Sequence, residues 1–293
     1  MALNLQTLRT RSLTALVFVL IMLGGLCWNE WSFFLLFSII HFGCWAEYQR
    51  IIALINPTYG NITKAHKYGV MLAGYCLMMT GAGDALTIAG FHLHELGWWL
   101  VLILAFLLPL LELLFNPSIR PVNIGLSALG LLYISTSFAL LLNLRGSESL
   151  WQSAGSKSFH MGFLMPLVII FSIWINDTMA YITGSLIGRT PFSSISPKKT
   201  WEGTIGGILL SVSFIAWLAY KWQWSCTDAA IIAGIAAITG TAGDLLESKL
   251  KRMANIKDSG HIMPGHGGFL DRFDSLLLAI PFVWLYAKLV MAL

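Results

Sequence analysis

The chain has 293 residues and a net charge of +4, with 57% hydrophobic and only 11% charged residues. Soluble domains carry about a quarter charged residues, so this composition excludes an ordinary soluble domain and indicates an integral membrane protein. The four cysteines, Cys27, Cys44, Cys76 and Cys226, lie apart within apolar runs. Neither a disulfide framework nor a cysteine-ligated zinc site is therefore expected.

Nine apolar runs are long enough to cross a bilayer, for which a helix needs about 20 mostly apolar residues. The first lacks the small-residue cleavage pattern of a signal peptide, so we interpret it as a span. We predict an all-α, polytopic integral membrane protein in which residues 1–293 form a single domain, with N-terminal helices in 1–159 and later helices and cytoplasmic loops in 160–293. The runs begin near Ser12, Trp31, Tyr68, Leu96, Val122, Met161, Thr204, Thr227 and Arg272.

The basic residues between the runs predict the orientation, because Lys and Arg are retained on the cytoplasmic side of a membrane. With the N-terminus inside, all but four of the 18 Lys and Arg residues fall in inner segments. The exceptions are Arg145, Lys157, Lys221 and Lys288. We therefore predict a cytoplasmic N-terminus, an outer C-terminus and a polar cavity that faces the cytoplasm.

The first half of the chain holds few candidate functional groups. Glu47 and Arg50 have the i, i+3 spacing of a pair on one helix face, which is the interpretation we favour. The alternative is a carboxylate turned into a polar cavity. His92 and His94 resemble a fragment of a metal motif but lack the H-E-x-x-H spacing, so we interpret them as residues of a short outer loop.

The sixth apolar run contains Asp177, with no basic residue within a helical turn. An isolated carboxylate facing lipid would be costly, so Asp177 is expected to face protein, water or a cation. Gly184 and Gly188 follow it at the small-x-x-x-small spacing that is typical of close helix packing.

A polar loop follows, in which Ser196, Lys198, Lys199 and Thr200 precede a helix with Glu202 in its first turn. The free N–H groups and the dipole of a helix N-terminus suit a phosphate. A loop of this kind is also typical of a positive-inside anchor, and both interpretations stay open on the loop alone.

The longest polar passage in the chain covers residues 244–274. On a continuing helix, Glu247 and Lys251 share the face of Asp244 at i+3 and i+7. Asp271 and Asp274 lie one turn apart at the start of the last run. Carboxylates from two helix ends are the kind of ligands that hold Mg²⁺ together with a substrate phosphate, so we predict a site shared by these ends.

A glycine-rich turn, Pro264-Gly265-His266-Gly267-Gly268, precedes the last run directly. Consecutive glycines allow close backbone approach and present N–H groups as an anion nest. Basic and imidazole side chains in the same passage add phosphate donors, and with the acids they indicate a nucleoside triphosphate. These donors are Lys251, Arg252, Lys257, His266 and Arg272.

Several segments together resemble the signature of the phosphatidate cytidylyltransferases, also called CDP-diacylglycerol synthases. They are Asp177 to Tyr181, Ser196 to Gly203, Ser248 to Arg252, Lys257-Asp258 and Pro264 to Asp274. The resemblance covers about residues 160–293. It implies that CTP and phosphatidate give CDP-diacylglycerol and pyrophosphate in phospholipid biosynthesis, with Mg²⁺ and with K⁺ as a possible second cation.

The resemblance also implies roles for individual residues. The implied metal ligands are Asp244 and Asp271, with Asp177, Asp258 and Asp274 as further candidates. The implied catalytic residues are Asp244, Asp271, Asp274, Lys251 and Arg252. The implied phosphate-binding residues are Ser196, Lys198, Lys199, Thr200, Lys257, His266, Gly267, Gly268 and Arg272.

Two other classes of protein fit the sequence less well. A transporter or channel for a phosphorylated solute or lipid would more naturally show broken helices in two related halves, whereas the charge here lies in one half. A CDP-alcohol phosphotransferase would carry a D-x-x-D-G-x-x-A-R motif, which the sequence lacks. We expect membrane lipids and a second copy of the chain as partners, no nucleic acid, and a bacterial inner membrane as the location.

Overall fold

The computed structural model describes residues 5–115, 120–147, 162–260 and 267–291, with side chains from residue 13 onwards. Eleven helices and one two-stranded hairpin carry the described chain. In order they are α1 (Leu5–Cys27), α2 (Glu30–Ile55), α3 (Pro57–Gly60), α4 (Lys64–Met79), β1 (Thr87–Ile88), β2 (Phe91–His92), α5 (Leu93–Phe115), α6 (Pro121–Gly130), α7 (Thr136–Gly146), α8 (Leu164–Ile187), α9 (Trp201–Lys221), α10 (Cys226–Met253) and α11 (Leu270–Tyr286). Leu131–Ser135 joins α6 to α7 as a π-helical turn, and Ala287–Met291 extends α11 in the same way.

Six helices among the described residues are long and apolar enough to cross a membrane, which confirms an all-α polytopic membrane protein. The predicted number of nine spans is not confirmed. The side chains of α1 are described only over Leu13–Cys27, an apolar stretch. Helix α4 has 16 residues, and α2 carries His41 and Glu47, which lower its hydropathy. The six are Leu93–Phe115, Pro121–Gly146, Leu164–Ile187, Trp201–Lys221, Cys226–Met253 and Leu270–Met291.

The surface of α5 shows why these helices require lipid. It exposes large apolar side chains along its whole length, including Trp99, Phe106 and Phe115. A soluble monomer rarely exposes a continuous apolar surface of this kind, whereas hydrocarbon solvates it without cost.

The chain packs as two compact units. Unit 1 consists of Met1–Ser135 and Met253–Arg272, and unit 2 consists of Thr136–Arg252 and Phe273–Leu293. This division differs from the boundary near residue 160 expected from the sequence, and the prediction of a single domain stays a prediction.

In unit 1, α2 is the central helix because it carries the largest buried side chains. Trp45 is fully buried, and its Nε1 donates to Ser135 Oγ at 2.9 Å. His41 Nε2 lies 2.9 Å from the same hydroxyl. A Cβ on Gly130 would lie 2.6 Å from the Trp45 ring, so the glycine permits the π-helical turn to pack closely on α2.

A short hairpin joins α4 to α5 in unit 1. Ala89 and Gly90 both have positive φ, at 52° and 87°, as a two-residue type I′ turn between antiparallel strands requires. The register pairs Thr87 with His92. Leu86 and Leu93, at the two ends of the hairpin, are each 1% exposed, so the hairpin is anchored on the core at both sides.

In unit 2, α8 and α9 pack backbone against backbone. A Cβ on Gly207 would lie 2.7 Å from the Asn176 carbonyl oxygen, and a Cβ on Gly203 would lie 2.9 Å from the Gly184 Cα atom. The close packing predicted at Gly184 is therefore confirmed, whereas Gly188 follows the end of α8 in an extended conformation. Ser211 Oγ donates to the Ser172 carbonyl oxygen at 2.8 Å and joins the same two helices.

Candidate functional site

A polar pocket of about 500 Å³ lies among α8, α9, α10 and the loop before α9, all within unit 2. It brings together six residues that the sequence singled out, namely Asp177, Ser196, Lys198, Lys199, Thr200 and Asp244. Helix α8 supplies Asp177, α10 supplies Asp244, and the loop supplies the lysines and hydroxyls. The remaining lining is Asn176, Ala180, Tyr181, Gly184, Ser185, Thr204 and Thr241.

The loop that carries Lys198 and Lys199 is fixed at both ends by hydrogen bonds. Thr200 caps α9, its Oγ1 accepting from Gly203 N at 3.1 Å. The Glu202 carboxylate accepts from Arg189 N and Thr190 N at 3.2 Å and from Thr190 Oγ1 at 2.8 Å. Because Glu202 holds the start of the loop and Thr200 holds its end, the lysines are presented at the N-terminus of α9.

The charges in the pocket are paired across it. Lys199 Nζ forms an ion pair with Asp244 Oδ2, and Ser248 Oγ donates to Asp244 Oδ1 at 3.4 Å. Asn176 is 2% exposed, and its amide nitrogen lies 3.3 Å from both Asp177 Oδ1 and Thr241 Oγ1. Its carbonyl oxygen Oδ1 has no hydrogen-bond partner among the described residues.

Asp274, also in unit 2, lies near Asp177 and Asp244. It is buried, and its Oδ1 accepts from Ser275 N at 2.6 Å. Its charge is close enough to interact with those of Asp244, Asp177 and Lys251. Lys251 also forms an i, i+4 ion pair with the fully buried Glu247, which confirms that these two share a face of α10.

Carboxylates gather at this place in unit 2. Asp177 and Asp244 line the pocket, and Asp274 lies close enough to interact with both. These side chains and the unpartnered Asn176 Oδ1 are oxygen ligands of the kind that a divalent cation takes. Within the described chain the oxygens of the three aspartates do not all come within 4.8 Å of one another, so a cation held by all three would draw them together.

Asp271 lies in unit 1, where it organises the turn before α11. Its Oδ2 accepts from Ser259 N and Gly268 N, each at 2.8 Å. Ser259 Oγ lies 2.9 Å from the same oxygen. These bonds hold Oδ2 against the turn.

Glu47 is the residue of the first half that the structure joins to this turn. It is 7% exposed, and its two oxygens accept from Phe269 N at 2.9 Å and Leu270 N at 2.8 Å. Ser259 Oγ donates to Oε2 at 2.6 Å. Glu47 therefore binds this turn, and the favoured interpretation of an i, i+3 pair with Arg50 is wrong. The alternative correctly turned the carboxylate inward, but here it meets hydrogen-bond donors of the turn, and its predicted polar cavity stays a prediction.

The glycines of the turn serve this network directly. Gly267 has φ +79°, a conformation that glycine adopts without strain. A Cβ on Gly268 would collide with the Glu47 carboxylate. The Gly268 N–H donates to Asp271, so its predicted contact with a phosphate stays a prediction.

Other residues expected at the site lie on exposed segments or outside the described chain. Lys257 and Asp258 are exposed in the loop after α10, Arg252 at the end of α10, and Arg272 in the first turn of α11. His266, with Pro264 and Gly265, lies outside the described residues. Asp244 belongs to unit 2 and Asp271 to unit 1, so the predicted shared site stays a prediction.

Sequence reasoning missed Ser259 as a partner of both Glu47 and Asp271. Its only signal is a small hydroxyl residue next to Gly260 in a polar loop, which many loops share. Thr241 and Thr204 were also missed, because a lone threonine within an apolar run does not show which side of its helix is polar.

These helices and this pocket define an integral membrane protein whose later spans carry carboxylates, lysines and hydroxyls into one polar site. The model of a family described as the cytidylyltransferase family matches residues 9–290. The chain belongs to that family.

Relatives with assigned names cover different shares of the chain. The phosphatidate cytidylyltransferase of Pseudomonas aeruginosa is 30% identical over 285 residues, which is 94% of this chain and 94% of that protein. The one from Synechocystis sp. is 36% identical over 198 residues, 61% of this chain and 67% of that protein. The chain spans only 34% of phosphatidate cytidylyltransferase 5, chloroplastic, from Arabidopsis thaliana, at 39% identity over 137 residues.

Proposed function

We propose that the chain transfers the cytidylyl group of CTP to phosphatidate, giving CDP-diacylglycerol and pyrophosphate in phospholipid biosynthesis. The family match across residues 9–290 carries this proposal. The names of relatives that cover the chain at similar length support the choice of substrate. The pocket supports it independently, because lysines and hydroxyls suited to phosphates lie beside carboxylates suited to a cation.

The proposed reaction requires positioning more than activation. A phosphate oxygen of phosphatidate attacks the α-phosphorus of CTP, the new P–O bond forms, and the bond to the β-phosphate breaks with its electron pair leaving on pyrophosphate. The nucleophile is already an anion, so no general base is needed. Two polyanions must be held close together and in line, which requires cations and fixed donors.

Lys199 is the proposed contact with the phosphates of CTP. It lies in the pocket on the loop held by Glu202 and Thr200. Lys198, Ser196 and Thr200 are further phosphate donors in the same pocket. In the other unit, Lys257, Arg272, Gly267 and Gly268 are proposed for the same role on the evidence of the motif alone.

Mg²⁺ is proposed as the cofactor, with K⁺ as a second cation. Asp244 and Asp271 would be its ligands, with Asp177, Asp258 and Asp274 as further candidates. When bound, the ion would neutralise phosphate charge during transfer. Asp244 and Lys199 form one ion pair, and a phosphate with its cation would offer each of them an opposite charge. Binding of CTP with its cation would therefore replace the Asp244–Lys199 ion pair by two others, one between Lys199 and a phosphate and one between Asp244 and the cation.

We further propose that the pocket opens to the cytoplasm of a bacterial inner membrane, where CTP is available and where the basic loops are expected. A membrane-embedded site lets a two-tailed lipid reach a soluble nucleotide. A homodimer is a further proposal. The alternative of a transporter gains no support from the family or from the relatives.

A pyrophosphate-release assay on the purified full-length chain tests the function. With phosphatidate micelles and Mg²⁺, we expect release with CTP and little with ATP, GTP or UTP. Asp244→Asn is the matched inactive variant, since it preserves shape but removes a charge from the pocket. Release that does not depend on phosphatidate, or equal release from all four nucleotides, would contradict the proposal.

A further inference from the structure

The hairpin between α4 and α5 gathers three side chains that are typical metal ligands. Asp84, His92 and His94 each offer one ligand atom, and these atoms all lie within 4.8 Å of one another. It is the one group of three or more His, Cys, Asp or Glu side chains, among the residues that the structure describes, whose ligand atoms approach this closely. Nothing in the proposed transfer reaction uses it.

The backbone around the three side chains is well anchored. The type I′ turn and the strand register fix His92 opposite Thr87. Leu93 N donates to the Leu86 carbonyl oxygen at 2.9 Å, and both leucines are buried. His92 and His94 therefore project from a hairpin end and a helix start whose positions are set by the core, as a metal site requires.

The hydrogen bonds of the two imidazoles are consistent with metal ligation. His92 Nδ1 lies 3.1 Å from the Asp84 main-chain oxygen. A neutral ring that donates there keeps the lone pair of Nε2 for a metal, the usual outer-shell arrangement of a ligating histidine. The two rings stack with centroids 5.4 Å apart and planes 29° apart, so they face the same side.

His94 provides an independent observation. Its Nδ1 is buried and has no hydrogen-bond partner among the described residues. The nearest counter-charge, Asp84 Oδ1, is 3.7 Å away, beyond hydrogen-bond distance. A buried ring nitrogen without a partner is unfavourable, and a bound cation between it and the carboxylate would supply the missing interaction.

We propose that Asp84, His92 and His94 bind a divalent first-row transition metal ion, of which Zn²⁺ is the probe to use. Two imidazoles and a carboxylate are the ligand types that Zn²⁺ takes, with bonds of about 2.0–2.2 Å and a water in a fourth position. Ligand atoms on such an ion are roughly 3.3 Å apart, so the group must contract. The Asp84 side chain is 91% exposed and can rotate to close it.

The proposed role of the ion is to hold the hairpin. A two-stranded hairpin alone is marginally stable in water, and this one has only two residues in each strand. An ion would cross-link Asp84, in the segment between α4 and the first strand, to the end of the second strand and to the start of α5. The sequence alone did not indicate this site, because the third ligand, Asp84, lies eight residues before His92. Only the hairpin turn brings Asp84 close to the two histidines.

Metal binding by the purified full-length chain tests the proposal. The protein, carrying a tag without histidine, is stripped with a chelator and titrated with Zn²⁺ against a chromophoric chelator in excess Mg²⁺. We expect a site that binds one equivalent of Zn²⁺ and a higher melting temperature on binding. In the His92→Ala/His94→Ala double variant this site should weaken by at least about 100-fold, since even an outer-shell partner contributes about 10–100-fold.

Two further variants keep the test decisive. Glu95→Gln alters an exposed carboxylate in the same turn and should bind Zn²⁺ as the parent chain does. Asp84→Asn changes an exposed side chain, so it should fold even if the double variant does not, and it should weaken the site at least tenfold. Unchanged affinity in Asp84→Asn and in the double variant, or no Zn²⁺ bound by the parent chain, would overturn the proposal.

Discussion

Lys199 and Asp244 carry opposite charges at the pocket, and their exposure indicates what the pair does. The side chains are 27% and 32% exposed. Partly exposed ion pairs contribute only about 0–1 kcal/mol to folding, which is too little for a mainly structural role. This small contribution is compatible with the proposal that Lys199 binds a phosphate and Asp244 a cation.

Lys199→Ala tests the phosphate contact. A hydrogen bond between charged groups contributes about 1.5–3 kcal/mol, so the KM for CTP should rise about 10–100-fold, with a smaller change in kcat. Lys221→Ala, at the other end of α9 and exposed, is the matched control and should leave both constants unchanged. Steady-state pyrophosphate release measures them, and an unchanged KM in Lys199→Ala would count against the role.

Asp271→Asn separates two roles of one carboxylate. The amide keeps an oxygen that can accept from Ser259 N and Gly268 N, which are now bonded to Oδ2. It is a poor ligand for a hard cation. We therefore expect turnover to be lost and the melting temperature in detergent to change little.

Asp271→Ala is the comparison variant, because it removes the acceptor as well. The N–H of the buried Ser259 would lose its acceptor, and an unsatisfied buried donor costs about 1–3 kcal/mol, so this variant should be inactive and also measurably less stable. Normal turnover in Asp271→Asn would remove Asp271 from the proposed metal ligands.

At the scale of helices, the contact of α8 with α9 positions two pocket residues. Asn176 and Ala180 of α8 lie against Gly207 of α9, where a Cβ would be 2.7 Å from the Asn176 carbonyl oxygen. The small residues thus determine how far Asp177, the next residue of α8, stands from the loop that carries Lys199.

Gly207→Ala should destabilise the protein, although alanine favours a helix by about 1 kcal/mol. The added methyl group meets backbone, which cannot move away cheaply, and overpacking of this kind costs about 1–3 kcal/mol. Gly234→Ala in α10 is the control, since its Cβ would meet nothing closer than Val212 at 3.7 Å. Thermal unfolding in detergent should show a lower midpoint for the first variant and an equal or higher one for the second.

The sequence shows where small residues lie on a helix, but it does not show which distant residues a side chain contacts. Close packing was predicted correctly at Gly184, which lies against Gly203 of α9, because a small residue lets two helix backbones approach. Gly188 follows the end of α8, and the spacing alone did not show where the helix ends. The role of Glu47 could not be predicted from local spacing. Its partners Ser259 and Leu270 are 212 and 223 residues away, and only the folded chain brings them together.

At the scale of the whole molecule, the composition correctly predicted an integral membrane protein but did not determine the number of membrane spans. A charged fraction of 11% places most of the chain in lipid. The number of spans depends on the length and the apolarity of each helix. Helix α2 is long enough but carries polar residues, and α4 is shorter than the six helices that qualify.

The predicted orientation can be tested within unit 1, which contains one loop expected on each side. Thr87 in the hairpin and Lys257 after α10 are both exposed. In a chain whose four cysteines are replaced by serine, Thr87→Cys should react with a membrane-impermeant thiol reagent added to intact cells. Lys257→Cys should react only after permeabilisation, because basic loops are retained in the cytoplasm. Labelling of Lys257→Cys from outside would contradict the predicted topology and place this loop, which is proposed to bind CTP, outside the compartment that contains CTP.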